Sequence, residues 1–173
     1  PVIQSRARTF FRTLVLLSVA SCGGAEDPVT IVDVTPTPRT IGVTPNQTTM
    51  TFVGQTASLR ALILDQNGTT FAGAPTWTTG DPAVFTVNGS GVVTAVANGS
   101  ATVTATFQAL SATAEVTVAQ VATVVTIVSG SDQTAIVRET LPTSVVVRVT
   151  DQGGAPVPGE TVTFTPGGQS GTV

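Results

Sequence analysis

From Thr40 onward, apolar and polar positions alternate with a period of two, and most alternating runs end in Gly, Asn, Asp or Pro. Ile41 and Val43 open the series, and Ala57, Leu59, Ala61 and Ile63 line one face of a second run. Ala101, Val103 and Ala105 then oppose Thr102 and Thr104, and Ala114, Val116 and Val118 oppose Glu115 and Thr117. A period of two is that of a strand with one face in a core and one in water, so these runs predict half-buried β-strands. The punctuation supplies the turns: Gly54-Gln55-Thr56, Asp65-Gln66-Asn67-Gly68 closing a hairpin, Gly80 to Pro82, Asn88 to Gly91, and Asn98-Gly99. Gly, Asn and Asp serve there because they tolerate positive φ or hydrogen-bond their own backbone. A short strand around Trp77 and another through Val84 and Val87 complete a small β-sandwich. Trp77 is expected to act as a partly buried plug and to make the largest single contribution to the core.

After Gln120 a new alternation begins. Val145, Val147 and Val149 alternate with Val146, Arg148 and Thr150 before the turn Asp151-Gln152-Gly153-Gly154. A further strand is expected over Glu160 to Thr165, after Pro156-Val157-Pro158-Gly159. About fifty residues belong to this second unit, whereas a complete β-sandwich of this kind takes about 100. The pattern makes the fold class all-β, with β-sandwich domains in tandem and the second expected to be incomplete at Val173. A half-domain of this kind exposes unpaired strand edges.

The first twenty-two residues follow another pattern. Arg6, Arg8 and Arg12 precede the apolar run Leu14 to Ala20, which ends in small residues and then Cys22. This is the layout of a secretory signal peptide over residues 1–21, and its apolar part is far shorter than the roughly 20 residues that span a bilayer. Val19-Ala20-Ser21-Cys22 resembles the lipobox of bacterial lipoproteins. That resemblance implies that Cys22 is the lipid-attachment residue and the mature N-terminus, and that the membrane is a partner through the lipid. Gly23 stands where an aspartate would signal inner-membrane retention, which leans the destination to the outer membrane or cell surface. A chain with one cysteine forms no internal disulfide, so this thiol is free for acylation. The only methionine is Met50, and the chain is accordingly expected to start inside its gene. Gly23 to Pro38 mixes glycine, acids and Thr-Pro repeats, and residues 22–38 read as an extended tether.

The block Trp77 to Ala105, WTTGDPAVFTVNGSGVVTAVANGSATVTA, resembles the bacterial immunoglobulin-like group 2 family. Its members carry a tryptophan, a D/N-P-A-V segment, then G-x-V-T-A-V-A-x-G-x-A-x-V/I-x-A. Val43-Thr44-Pro45 and Gly54-Gln55-Thr56 fall in the family's order, so the resemblance covers residues 39–119. Phe85 departs from it, since a small residue usually follows P-A-V, and implies local repacking within the same fold. Leu141 to Thr165 resembles the invasin and intimin type of bacterial immunoglobulin-like repeat, through V-x-V-x-D-x-x-G-x-P-V-x-G-x-x-V-x-F. This implies a partial invasin-like domain over 121–173.

Charge and composition exclude several function classes. Beyond residue 21 four arginines face ten carboxylates and there is no lysine, so the basic footprint of a nucleic-acid binder is missing. Without histidine there is no Ser/His/Asp or Cys/His nucleophile and no histidine metal site. Asp65, Asp81, Asp132, Asp151 and Glu160 sit in turns or at strand ends, where acids serve the backbone. Asp65-x-Asn67-Gly68 resembles part of a calcium loop but lacks the remaining ligands, and a hairpin turn explains it. Calcium held between the two domains is a minor alternative. Asn46, Asn67, Asn88 and Asn98 head N-x-S/T sequons; in a bacterium these are turn chemistry and carry no expected glycan.

The sequence therefore predicts no catalytic residue, no cofactor and no metal. The expected protein is a non-enzymatic, lipid-anchored envelope protein whose modules form a stalk or an adhesion unit, with a surface protein or carbohydrate as its ligand. The alternative is that the modules are accessory to a secreted or surface enzyme whose catalytic domain lies beyond Val173. A periplasmic binding protein is a third reading, disfavoured because the pattern offers no ligand cleft.

Overall fold

The computed structural model of the protein describes residues 35–136 and 138–165. The signal-peptide segment, Cys22 and most of the tether lie outside the described residues.

The first unit is a sandwich of two layers, one a four-stranded sheet and the other built from a two-stranded and a three-stranded sheet. Strand β1 (Pro38–Thr44) pairs antiparallel with β4 (Arg60–Asp65), placing Ile41 opposite Ile63 and Val43 opposite Ala61. The Thr44–Pro45 peptide is cis. The chain then changes partner, and β2 (Gln47–Met50) runs parallel to β9 (Leu110–Val118). With β5 (Thr76–Thr79) and β8 (Gly99–Phe107) this forms a four-stranded sheet in the order β2-β9-β8-β5. Facing it, β3 (Thr56–Ser58), β7 (Val92–Ala95) and β6 (Phe85–Val87) pair in the order β3-β7-β6. Leu59 lies between β3 and β4 and donates its N–H to the Gly91 carbonyl at 2.9 Å, joining the two parts of that layer.

The alternation read from the sequence is what packs this interior. Met50, Val103, Val116 and Val118 from one sheet meet Leu59, Phe85, Val93 and Ala95 from the other, all buried. Threonines and serines occupy the other side; Ser100 and Thr117, opposite one another in the ladder, share a hydroxyl hydrogen bond at 2.8 Å. Phe85, the residue that departs from the family pattern, is fully buried and stands at the centre of the cluster. Trp77 is partly buried and packs against the cluster from its edge, in agreement with its reading as a plug.

Pro38, assigned to the tether from sequence, is the first residue of β1. Thr37 just before it is fixed by Gln66, whose Oε1 accepts the Thr37 N–H at 2.7 Å.

The second unit contributes β10 (Val124–Ser129) and β11 (Val146–Thr150), paired antiparallel with Val125 opposite Val149 and Ile127 opposite Val147. It repeats the opening of the first unit. β10 and β11 pair as β1 and β4 do, and the bridge from Thr150 to Pro156 corresponds to that from Leu64 to Thr70. The strand expected over Glu160–Thr165 is not formed. Alternation gives a segment the capacity to be a strand, but a strand needs a ladder, and the pairing here ends at Pro156. Phe164 is accordingly 61% exposed.

Candidate functional site

Of the acids named from the sequence, Asp65, Asp81 and Asp151 serve the backbone, as expected, and Asp151 does more. Asp65 Oδ1 accepts the N–H of Asn67 at 2.9 Å and of Thr69 at 2.8 Å. Asp81 Oδ1 accepts the N–H of Ala83 at 2.9 Å. Each spends its carboxylate on satisfying a turn. Asp132 lies at positive φ in the loop after β10, and Glu160 is exposed. These acids are dispersed, and among the described residues no group of three or more His, Cys, Asp or Glu is placed to hold a metal ion.

Asp151 is the exception. It follows β11 and is 1% exposed, one of two buried polar residues among those described. Its Oδ1 accepts the Ala155 N–H at 2.9 Å within its own turn. Its Oδ2 reaches out of the second unit, accepting the Val53 N–H of the first sandwich at 3.0 Å and the Gln120 Nε2 amide at 2.9 Å. The carboxylate of one unit therefore closes a joint on the other. These hydrogen bonds favour the ionised form: the Gln120 amide, working against the cost of desolvation and joined by the Val53, Ala155 and Gly153 backbone groups, lowers the Asp151 pKa.

The connection between the units is bonded along its length. Ala119 N donates to Met50 O at 2.8 Å and Val121 N to Thr51 O at 2.9 Å, extending the β2–β9 pairing past the end of the sandwich. Between them, Gln120 N donates to Asn98 Oδ1 at 2.7 Å. Thr123 N then donates to Thr150 O at 2.9 Å, already inside the second unit. Gln120 thus has its backbone on the first sandwich and its side chain on the second. A free hinge needs unpaired backbone, and this passage has little.

Sequence reasoning placed Asp151 in a turn but did not find the joint. The available signal was the repeated Asp-Gln-x-Gly at 65–68 and 151–154, which marks the two units as copies of one plan.

Surface depressions lie among the described residues. One, of about 340 Å³, lies beside Trp77 between Arg60, Pro75 and Ser90. Another, of about 380 Å³, lies on the outer face near Gln47, Thr102 and Glu115. Neither gathers groups arranged for catalysis. No helix among the described residues is long and apolar enough to cross a membrane.

The family comparison agrees with the sandwich geometry. The bacterial Ig-like domain (group 2) family matches residues 28–118, ending where the joint begins. Among solved structures, the chain is similar to the S-layer protein SbsC domains 4 and 5, at 27% identity and a TM-score of 0.46, over 49% of this chain and 54% of that one. It is also similar to the S-layer protein rSbsC(31-844), at 24% identity and a TM-score of 0.47, over 71% of this chain and 17% of that one. The chain thus spans about half or less of these proteins' lengths. No curated protein matches it.

Proposed function

Because the chain belongs to the bacterial Ig-like domain (group 2) family, we propose that it is a non-enzymatic structural module of the bacterial cell envelope. It holds a distal binding region away from the membrane, to which Cys22 anchors it through lipid, and its place is the outer membrane or cell surface. The observation that carries this reading is the bonded passage from Ala119 to Thr123, closed by Asp151 on Val53. A spacer must transmit position from one domain to the next, and serial sandwiches that contact mainly their neighbours do so only where the joints are fixed. Two or more acyl chains on Cys22 give stable anchoring where one chain binds marginally.

The test is made on the native protein in its own cells. Intact cells are treated with protease and the membrane-extracted protein is analysed by mass spectrometry. Loss of the sandwich on shaving, together with an acylated N-terminal Cys22 peptide, is the expected result. A protein found in the cytoplasm, or Cys22 unmodified inside a longer peptide, overturns the surface-anchored reading.

A further inference from the structure

Three turns of this chain are built alike, and their differences at the first and third positions point to a recognition rule. In the turns headed by Asp65, Asn88 and Asp151, the first residue's carbonyl accepts the N–H of the glycine three places on, at 3.1, 3.0 and 3.0 Å. Its N–H donates to the carbonyl four places on, at 2.9, 3.0 and 2.9 Å. Its side-chain Oδ1 accepts the N–H of that fifth residue, at 2.8, 3.0 and 2.9 Å. The fourth residues, Gly68, Gly91 and Gly154, have φ of 75°, 79° and 83°, which requires glycine.

The third position differs. It is Asn67 in the first turn, Ser90 in the second and Gly153 in the third. Gly153 does not have positive φ, and two side-chain-bearing residues occupy the same place in the sister turns, so the backbone does not ask for glycine there. What asks for it is the neighbour. A Cβ on Gly153 would lie 2.8 Å from the Val53 carbonyl oxygen and 3.0 Å from the Phe52 ring. Glycine at this position lets the turn reach the first sandwich.

The first position is selected as well. Asn88 builds the same turn, so an amide suffices for the turn itself. At 151, however, the second side-chain atom meets two donors, the Val53 N–H and the Gln120 amide. A carboxylate accepts both, whereas an asparagine whose oxygen serves the turn would set its NH₂ against them. Asp65 marks the contrast. It is 7% exposed, its side-chain hydrogen bonds among the described residues are made by Oδ1 within its own turn, and Asn67 follows two places on.

We propose that the Phe52–Val53 loop and Gln120 of the first sandwich form a docking socket for the entry turn of a following sandwich. The socket reads two features of that turn, a carboxylate at its first position and glycine at its third. The Asp151 turn carries both, and the Asp65 turn has only the first. The order of domains is thereby written into the joint: the second unit fits behind the first, and a unit with the first one's turn does not. This goes beyond the spacer reading, since it specifies which domain the first sandwich accepts as its neighbour, and it holds wherever the protein resides.

The experiment compares the whole chain with Asp151→Asn, Gly153→Val and Asp65→Asn by residual dipolar couplings and amide hydrogen exchange. In the parent, both units are expected to fit one alignment tensor and the Val53 amide to be protected. Asp151→Asn and Gly153→Val are expected to give two independent tensors and to speed Val53 exchange about tenfold or more, because a hydrogen bond to a charged group is lost. Asp65→Asn is expected to change neither readout. Asp151→Asn keeps an acceptor for the turn and so decides the matter even where Gly153→Val fails to fold. A single tensor with Val53 still protected in Asp151→Asn overturns the proposal, as does an equal effect from Asp65→Asn.

Discussion

Oδ2 of Asp151 lies 3.0 Å from the backbone nitrogen of Val53, a residue 98 positions earlier in the chain. This contact ties the turn after β11 to the loop between β2 and β3, and it favours the ionised carboxylate.

The joint should therefore open in acid. Hydrogen bonds, that of Gln120 foremost, hold the Asp151 pKa below its ordinary value. For a group whose folded pKa is depressed, the stabilisation is present above the unfolded pKa and is lost as pH falls through the folded one. The two units are expected to uncouple below the ordinary aspartate range, seen as an increase in radius of gyration by small-angle scattering while the β-type circular dichroism of the first sandwich persists. In Asp151→Asn this acid step should be missing, because the joint is already open at neutral pH. A parent chain that stays coupled until the sandwich itself unfolds would contradict this.

Gly91 is held by its conformation and its neighbours together. Its φ is 79°, and an added Cβ would lie 2.6 Å from the Leu59 carbonyl and 2.8 Å from Cζ2 of Trp77. Gly91→Ala should therefore destabilise the first sandwich by about 3 kcal/mol, combining left-handed strain with overpacking against backbone. Urea unfolding followed by fluorescence reads this directly, since Trp77 is the only tryptophan. Gly89→Ala, in the same turn with open space around its Cβ, should cost well under half as much.

Asn98 tests the passage between the units. Its Oδ1 accepts the Gln120 N–H at 2.7 Å, and Asn98→Ala removes that acceptor. The expected cost is about 1 kcal/mol, with faster hydrogen exchange at Gln120 and no change at the centre of β8. Unchanged exchange at Gln120 would mean that the bond contributes nothing to the passage.

The first sandwich was legible in the sequence because its signals are local. Ala101, Val103 and Ala105 announce their buried face by period alone, and Asp65 and Asn88 act on backbone groups within four residues. The joint was not legible in this way: Asp151 looks like any turn acid until the Phe52–Val53 loop is placed against it. Gly153 carried a clue, since its sister positions are Asn67 and Ser90, but the clue has meaning only once the three turns are known to share one geometry. Glu160–Thr165 misled for the opposite reason. Its Val162 and Phe164 alternate correctly, yet a strand exists only with a partner, and alternation says nothing of partners.

Phe85 and Trp77 show how far residue type alone can predict the core. The larger side chain is partly buried at the edge, while Phe85 is fully buried among Met50, Val93, Val103 and Val116. Truncation at the centre removes contacts on all sides and leaves a void that the two sheets cannot close, whereas truncation at the edge leaves a recess that water enters. Phe85→Ala is therefore expected to cost about 4 kcal/mol and Trp77→Ala about 2 kcal/mol. Thermal and urea unfolding monitored by circular dichroism compares the two on one scale. An order reversed, with Trp77→Ala the more damaging, would place the energetic centre of the sandwich at the indole and not at the phenylalanine.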